Sequence, residues 1–142
     1  MSPTAAPARP DLSPAAPAAQ DVAAAGLRAF VRIAAAWGLT VDEQIRLLGS
    51  PPRSTFFAWR KQPEHARVPR DTLERLSNLL GIYKSLQILL PDPAAADAWV
   101  RRPNAAAPFG GGTALQFMLG GNLSDLYQVR RYLDAARGAG WA

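Results

Sequence analysis

The segment Thr40–Lys61, TVDEQIRLLGSPPRSTFFAWRK, decides the fold because its pattern predicts two short helices joined by a tight turn. Thr40, followed three residues later by Glu43, forms a capping-box pattern, which marks the start of a helix. Gly49 then supplies the backbone freedom that a helix end requires. The element lengths and the glycine-containing turn together predict a helix-turn-helix.

The second helix of this pair is predicted to run over Pro51–Lys61, with Ser50 as N-cap and proline at the first helical position. Phe56 and Trp59 lie three residues apart, so we expect them to share one face and pack inward. Arginine suits guanine, hydroxyls suit phosphates or bases, and an outward phenylalanine suits a thymine methyl group. The candidate DNA-binding residues are Arg53, Ser54, Thr55, Phe57, Arg60 and Lys61.

Positive charge is concentrated around this segment. The whole chain has a net charge of +5, and residues 28–70, with eight basic and three acidic side chains, account for all of it. A local basic surface suits a polyanion such as DNA. A basic face that is merely solvated remains the alternative.

The rest of the chain predicts an all-α fold. Residues 1–20 are rich in proline and alanine, which predicts a disordered arm. Apolar residues at helical spacing predict helices over Asp21–Trp37 and Asp71–Leu90, the second weakened or bent at Gly81. We therefore expect the arm, a helix-turn-helix bundle over residues 21–70 and a smaller helical domain over residues 71–142.

The C-terminus is predicted to be a helix followed by a short tail. Ser124 is the expected N-cap, Asp125 suits the positive end of the helix dipole, and Gly138 suits the C-terminal cap. Trp141 follows two glycines and lies one residue from the end of the sequence. A tethered tryptophan could fill a pocket in another protein, although it could also lie on its own domain.

Several classes of function are disfavoured. The sequence has no cysteine and one histidine, so we expect no metal site, and no cofactor-binding motif stands out. No carboxylate pair or activated nucleophile is recognisable, so we expect no enzymatic activity. No apolar run is long enough for a membrane span and no signal peptide is evident, which favours a cytoplasmic protein.

From about Trp37 to the C-terminus the sequence resembles the Xre/MbcA/ParS antitoxins. The resemblance rests on the order and spacing of several short blocks, each weak by itself. The blocks are STFFAWR at 54–60, LLGIYKSL at 79–86, DAWVRRPN at 97–104, FGGGTAL at 109–115 and VRRYLDAARG at 129–138. The proline-rich arm has no counterpart in this pattern.

The resemblance implies one half of a type II toxin–antitoxin pair. In such pairs the antitoxin binds a RES-domain toxin that depletes NAD⁺, blocks the toxin's active site with its C-terminal region, and often represses its own operon as a dimer. A homodimer within a hetero-oligomeric complex is therefore expected here. A free-standing transcriptional regulator without a toxin is the alternative. The candidate toxin-binding residues are Arg131, Arg137, Gly138, Gly140, Trp141 and Ala142.

Overall fold

A computed structural model describes the backbone of residues 19–138 and the side chains of residues 20–138. This part of the chain is helical and contains no strand, as predicted, apart from one isolated bridge between Pro103 and Thr113. Residues 1–18 of the predicted arm lie outside it, whereas Ala19 and Gln20, which the prediction also assigned to the arm, already belong to the first helix. The α-helices are α1 (Ala19–Trp37), α2 (Val41–Leu47), α3 (Arg53–Lys61), α4 (Arg70–Leu89), α5 (Pro93–Ala98), α6 (Ala114–Met118) and α7 (Leu123–Gly138), with 3₁₀ turns at Pro63–His65 and Trp99–Arg101.

The central element is α4, which packs against both α1 and α7. One contiguous apolar core runs from α1 through α4 to α7, with Leu79, Ile82 and Leu86 of α4 fully buried inside it. Gly81 does not interrupt α4. The helix-turn-helix and the C-terminal helices thus share one core, and burial of this apolar surface is the main contribution to their common stability.

The helix-turn-helix forms as predicted, except at the start of α3. Thr40 and Glu43 make both hydrogen bonds of the capping box. The predicted start of the next helix at Pro51, with Ser50 as N-cap, is wrong, because α3 begins at Arg53 after an extended Pro52 (φ −55°, ψ 144°). A residue that precedes a proline is sterically disfavoured in the helical region, so Pro52 prevents Pro51 from starting the helix.

The predicted cap of α7 is also wrong. Ser124 lies inside the helix, which begins at Leu123. The Asp125 side chain accepts a hydrogen bond from the Asn122 N–H at 3.2 Å and so satisfies a backbone donor at the entry to the helix. The predicted acidic first turn is confirmed, but the helix begins two residues earlier than the predicted cap requires.

The loop before α6 is fastened by aromatic packing. Trp99 and Phe109 are buried, with ring centroids 5.9 Å apart in an edge-to-face arrangement. Tyr132 of α7 stacks on Trp99 at 6.1 Å. This cluster seats the loop against the terminal helix.

Two arginines join the halves of the molecule reciprocally. Arg46 of α2 donates to the carbonyl oxygens of Leu119 (2.6 Å) and Gly120 (3.4 Å) at the end of α6. Arg101 donates to the carbonyl oxygens of Trp37 and Gly38, both at 2.9 Å, at the end of α1. Each guanidinium donates hydrogen bonds to carbonyl groups that a helix end leaves without a partner. Its positive charge also interacts favourably with the negative end of the helix dipole.

Candidate functional site

The outward face of α3 is the first candidate surface. Phe56 and Trp59 are 3% and 6% exposed, so the predicted inward face is confirmed. Of the six candidate DNA-binding residues, Thr55 is half-buried and the other five are exposed. Phe57, which is 41% exposed, lies among these polar and basic side chains.

The position of α3 is set by the turn before it, which rests on the start of α4. Gly49 has φ +96°, and a β-carbon there would lie 2.8 Å from a carboxylate oxygen of Asp71. Thr72 donates its hydroxyl to the Leu48 carbonyl at 2.9 Å. The largely buried Arg75 side chain binds Asp71 at 2.7 Å. These contacts with α4 therefore fix the orientation of α3 and of the side chains that it presents to solvent.

Arg53 is held at the junction of α2 and α3. Its guanidinium lies 3.0 Å from a carboxylate oxygen of Asp42 and 5.5 Å from the centroid of the Phe57 ring. Both members of the ion pair are well exposed, so the pair contributes little to stability and can exchange for another anion. Sequence spacing does not predict the contact between Arg53 and Asp42, because it depends on how α2 crosses α3.

The basic segment is less uniform than its composition suggests. Arg28, Arg53 and Arg70 each pair with a carboxylate, and Arg46 is used for capping. The other four bases have no ionic partner within residues 20–138. These four are Arg32, Arg60, Lys61 and Arg67.

The second candidate surface is the outward side of α7. Its apolar face, formed by Leu126, Val129, Leu133 and Ala136, is buried, as the helical spacing predicts. The opposite side presents Tyr127, which is 53% exposed, with the Arg131 guanidinium 5.8 Å from its ring centroid. Tyr127 was missed in the sequence, although its spacing of four residues from Arg131 is the signal that could have found it.

Two further arginines of α7 form hydrogen bonds with residues of α4. Arg130 donates to the Ser77 carbonyl at 3.3 Å and passes close over Gly81, where a β-carbon would lie 2.7 Å from the guanidinium. Arg137 donates to the Ser85 hydroxyl at 3.4 Å while remaining exposed.

The predicted toxin-binding residues fall partly outside the described chain. Arg131, Arg137 and Gly138 lie on the last turns of α7, and Gly138 is exposed at its end. Gly140, Trp141 and Ala142 lie beyond the described residues.

Neither surface lies next to a cluster suited to metal binding, since residues 19–138 contain no group of three histidine or acidic side chains that could hold an ion. None of the helices described combines the length and apolar character needed to cross a lipid bilayer. Both surfaces present charged side chains, an exposed aromatic ring and the end of a helix.

The fold and these two surfaces define a helix-turn-helix protein joined to a second helical binding domain. Residues 16–81 match the antitoxin Xre-like helix-turn-helix domain, and residues 85–139 match the antitoxin Xre/MbcA/ParS C-terminal toxin-binding domain. The chain belongs to this family of antitoxins. It is also 54% identical, over 114 residues, to the uncharacterized protein y4oB of Sinorhizobium fredii, covering 80% of this chain and 85% of the relative.

The two family matches meet inside α4 and assign one surface to each. The helix-turn-helix match contains α3, and the toxin-binding match contains the whole of α7. DNA and a toxin are thus the classes of partner that the two domains imply.

Proposed function

We propose that this antitoxin neutralises a RES-domain, NAD⁺-degrading toxin by covering its active site, and that it represses its own operon as a homodimer. The C-terminal region from Arg137 onward is the inhibitory element, and α3 reads the operator. The protein carries out no reaction of its own, and it acts in the cytoplasm, where operator DNA and NAD⁺ are both found.

The observation that carries the toxin half of this proposal is the division of α7 into two faces. Leu126, Val129 and Leu133 are fully buried against the rest of the chain, so this face is not available to a partner. Arg131 and Arg137 remain exposed on the last turns, immediately before the C-terminal residues. Interfaces are enriched in arginine and tryptophan, and Trp141 follows within a few residues.

The chemistry of the target fits these residues. Arginine binds carboxylates through paired, charge-assisted hydrogen bonds, so these side chains suit acidic groups at the mouth of a toxin cleft. An arginine held on a helix end loses little conformational freedom when it binds, because its position is already set by the fold.

The DNA half of the proposal is supported by the unpaired cations beside α3. Arg60 and Lys61 lie on its last turn, exposed and without an ionic partner in the described chain. Cations in this state can bind phosphates without first breaking an intramolecular contact.

Co-expression with the toxin tests the inhibitory element. Deleting residues 138–142, or changing Arg137→Ala, should reduce the protection of growth against the toxin. Each change removes part of the segment that is proposed to cover the toxin's active site. Arg130→Ala is the matched control, since Arg130 binds α4 and should leave protection intact. If the shortened chain protects cells as well as the full one, residues 138–142 are not part of the inhibitory element.

The neighbouring reading frame separates this proposal from a free-standing regulator. A RES-domain gene beside this one supports neutralisation. If no toxin gene lies nearby and no neighbouring gene product inhibits growth, a free-standing transcriptional regulator becomes the better account.

A further inference from the structure

An open apolar groove lies between α1 and α4. It encloses about 560 Å³, and apolar side chains form most of its walls. Val22, at its edge, is 49% exposed, so this surface faces solvent. A concave apolar surface that spans two helices and is bordered by polar residues suits the docking of another protein surface. Its main apolar residues are Val22, Ala25 and Ala29 of α1 and Leu73, Leu76 and Leu80 of α4.

The groove lies on the side of α1 that faces away from α3. Val22, Ala25 and Ala29 share one face of α1 by helical spacing. Leu27 and Phe30, on the opposite face, line a small cavity together with residues of α3. A partner seated in the groove therefore leaves α3 open to DNA.

Two of the three charged residues on α1 are arranged so that this face complements itself, and the third, Arg28, is paired with Glu64 of its own chain. Asp21 and Arg32 are exposed at the two ends of the apolar stretch, and neither has an ionic partner within residues 20–138. If two α1 helices pack antiparallel with Ala25 of one copy beside Ala29 of the other, Asp21 comes within one residue's rise, ~1.5 Å along the axis, of Arg32. A two-fold axis repeats this pair on the other side.

We infer that this groove is the interface between two copies of this chain, which pack antiparallel through α1. The inference rests on the proposed homodimeric repressor and assigns the surface that forms the dimer. Ala25 and Ala29 let the two α1 helices approach closely, and the half-buried Leu73 and Leu80 of α4 contribute apolar area beside them.

Light scattering coupled to size-exclusion chromatography on the full chain, without toxin or DNA, tests this interface. The wild-type chain should be a dimer and the Ala29→Glu variant a monomer, because the variant buries a charge in the apolar groove. Asp21→Arg and Arg32→Asp should each raise the dimer dissociation constant about tenfold through like-charge contacts. The double variant should restore the dimer, since each copy then presents the same pair with its signs exchanged.

Ala94→Glu is the matched control, because Ala94 is exposed at the start of α5 and lies outside the groove. It should remain a dimer, and circular dichroism should show equal helix content in every variant. A monomeric wild-type chain, a dimer that survives Ala29→Glu, or a double variant without rescue would each overturn the interface.

Two other results would identify a different occupant and also overturn the inference. A wild-type monomer that dimerises after removal of residues 1–18 would indicate that this segment covers the groove. An Ala29→Glu chain that stays dimeric but no longer binds the toxin would indicate a toxin site there. The dimer assay contains neither toxin nor DNA, so its failure leaves the neutralisation test unaffected.

Discussion

α3 and α7 both carry arginines toward solvent, but the fold uses these arginines differently. On α3, Arg60 has no ionic partner in the described chain, and Arg53 has only the exposed Asp42. On α7, Arg130 is half-buried against α4 and binds it, whereas Arg137 stays exposed beside its 3.4 Å contact with the Ser85 hydroxyl. The comparison shows that arginine content alone does not define a binding surface, because tertiary contacts decide which guanidinium groups are available.

The two helices also contribute unequally to the core. In α3 the buried residues are Phe56 and Trp59, whereas α7 buries four residues and packs along α4. We therefore expect substitutions on α7 to change stability most and substitutions on α3 to change binding most.

The largest expected effect comes from Leu133→Ala. Leu133 is fully buried on α7, so this change should lower the free energy of unfolding by ~2–5 kcal/mol through lost burial and the cavity left behind. Urea unfolding followed by circular dichroism measures it. Phe57→Ala on the exposed face of α3 is the control and should change stability by only about 0.5 kcal/mol. Equal losses in the two variants would contradict the proposed difference.

A smaller loss of stability is expected for Gly49→Ala, in the turn that orients α3. Alanine at φ +96° is strained, and its β-carbon would meet the Asp71 carboxylate at 2.8 Å. The expected loss is ~1–3 kcal/mol in the same unfolding measurement. Gly138→Ala, with no atom within 4 Å of the added carbon, should be nearly neutral. A neutral Gly49→Ala would show that the turn can rearrange.

Arg60→Ala tests the availability of the α3 cations. Removing this unpaired charge should weaken binding to DNA from the gene's own upstream region about tenfold, and the slope of log affinity against log salt should fall by about one. Fluorescence anisotropy across a salt series measures both. Arg130→Ala removes an equal charge that α4 already binds, so it should leave affinity unchanged. Equal weakening by the two variants would refute the distinction between free and bound arginines.

The smallest effect, and one of opposite sign, is expected for Gly81→Ala beneath α7. Alanine favours a helix over glycine by about 1 kcal/mol, so stability should rise by ~0.5–1 kcal/mol. The obstacle is the Arg130 guanidinium at 2.7 Å, the far end of a flexible side chain that can swing aside. Urea unfolding should show at least the same gain in an Arg130→Ala background. A loss of stability in the Gly81→Ala chain would mean that Arg130 cannot move.

Local patterns account for what the sequence predicted correctly. Thr40 with Glu43, and Phe56 with Trp59, act within one helical turn, so sequence spacing is enough to place them. Ser50 with Pro51 is a local pattern too, but the following Pro52 removes the helical conformation on which the expected cap depends.

Long-range contacts account for what the sequence did not reveal. Arg46 binds carbonyl groups 73 and 74 residues further along the chain, and Arg130 crosses over Gly81. No spacing rule predicts either contact. The division between a DNA-binding domain over residues 21–70 and a toxin-binding domain over residues 71–142 stays a prediction, as do the roles of the individual site residues.

The reciprocal capping by Arg46 and Arg101 has a consequence for the turnover of this protein in the cell. Since each half closes a helix of the other and both share α4, we expect the chain to lose its structure as one cooperative unit. A protease that captures the unfolded chain would then end the proposed operator binding and the proposed toxin inhibition together. The lifetime of a single folded unit would thus set how long both forms of control persist.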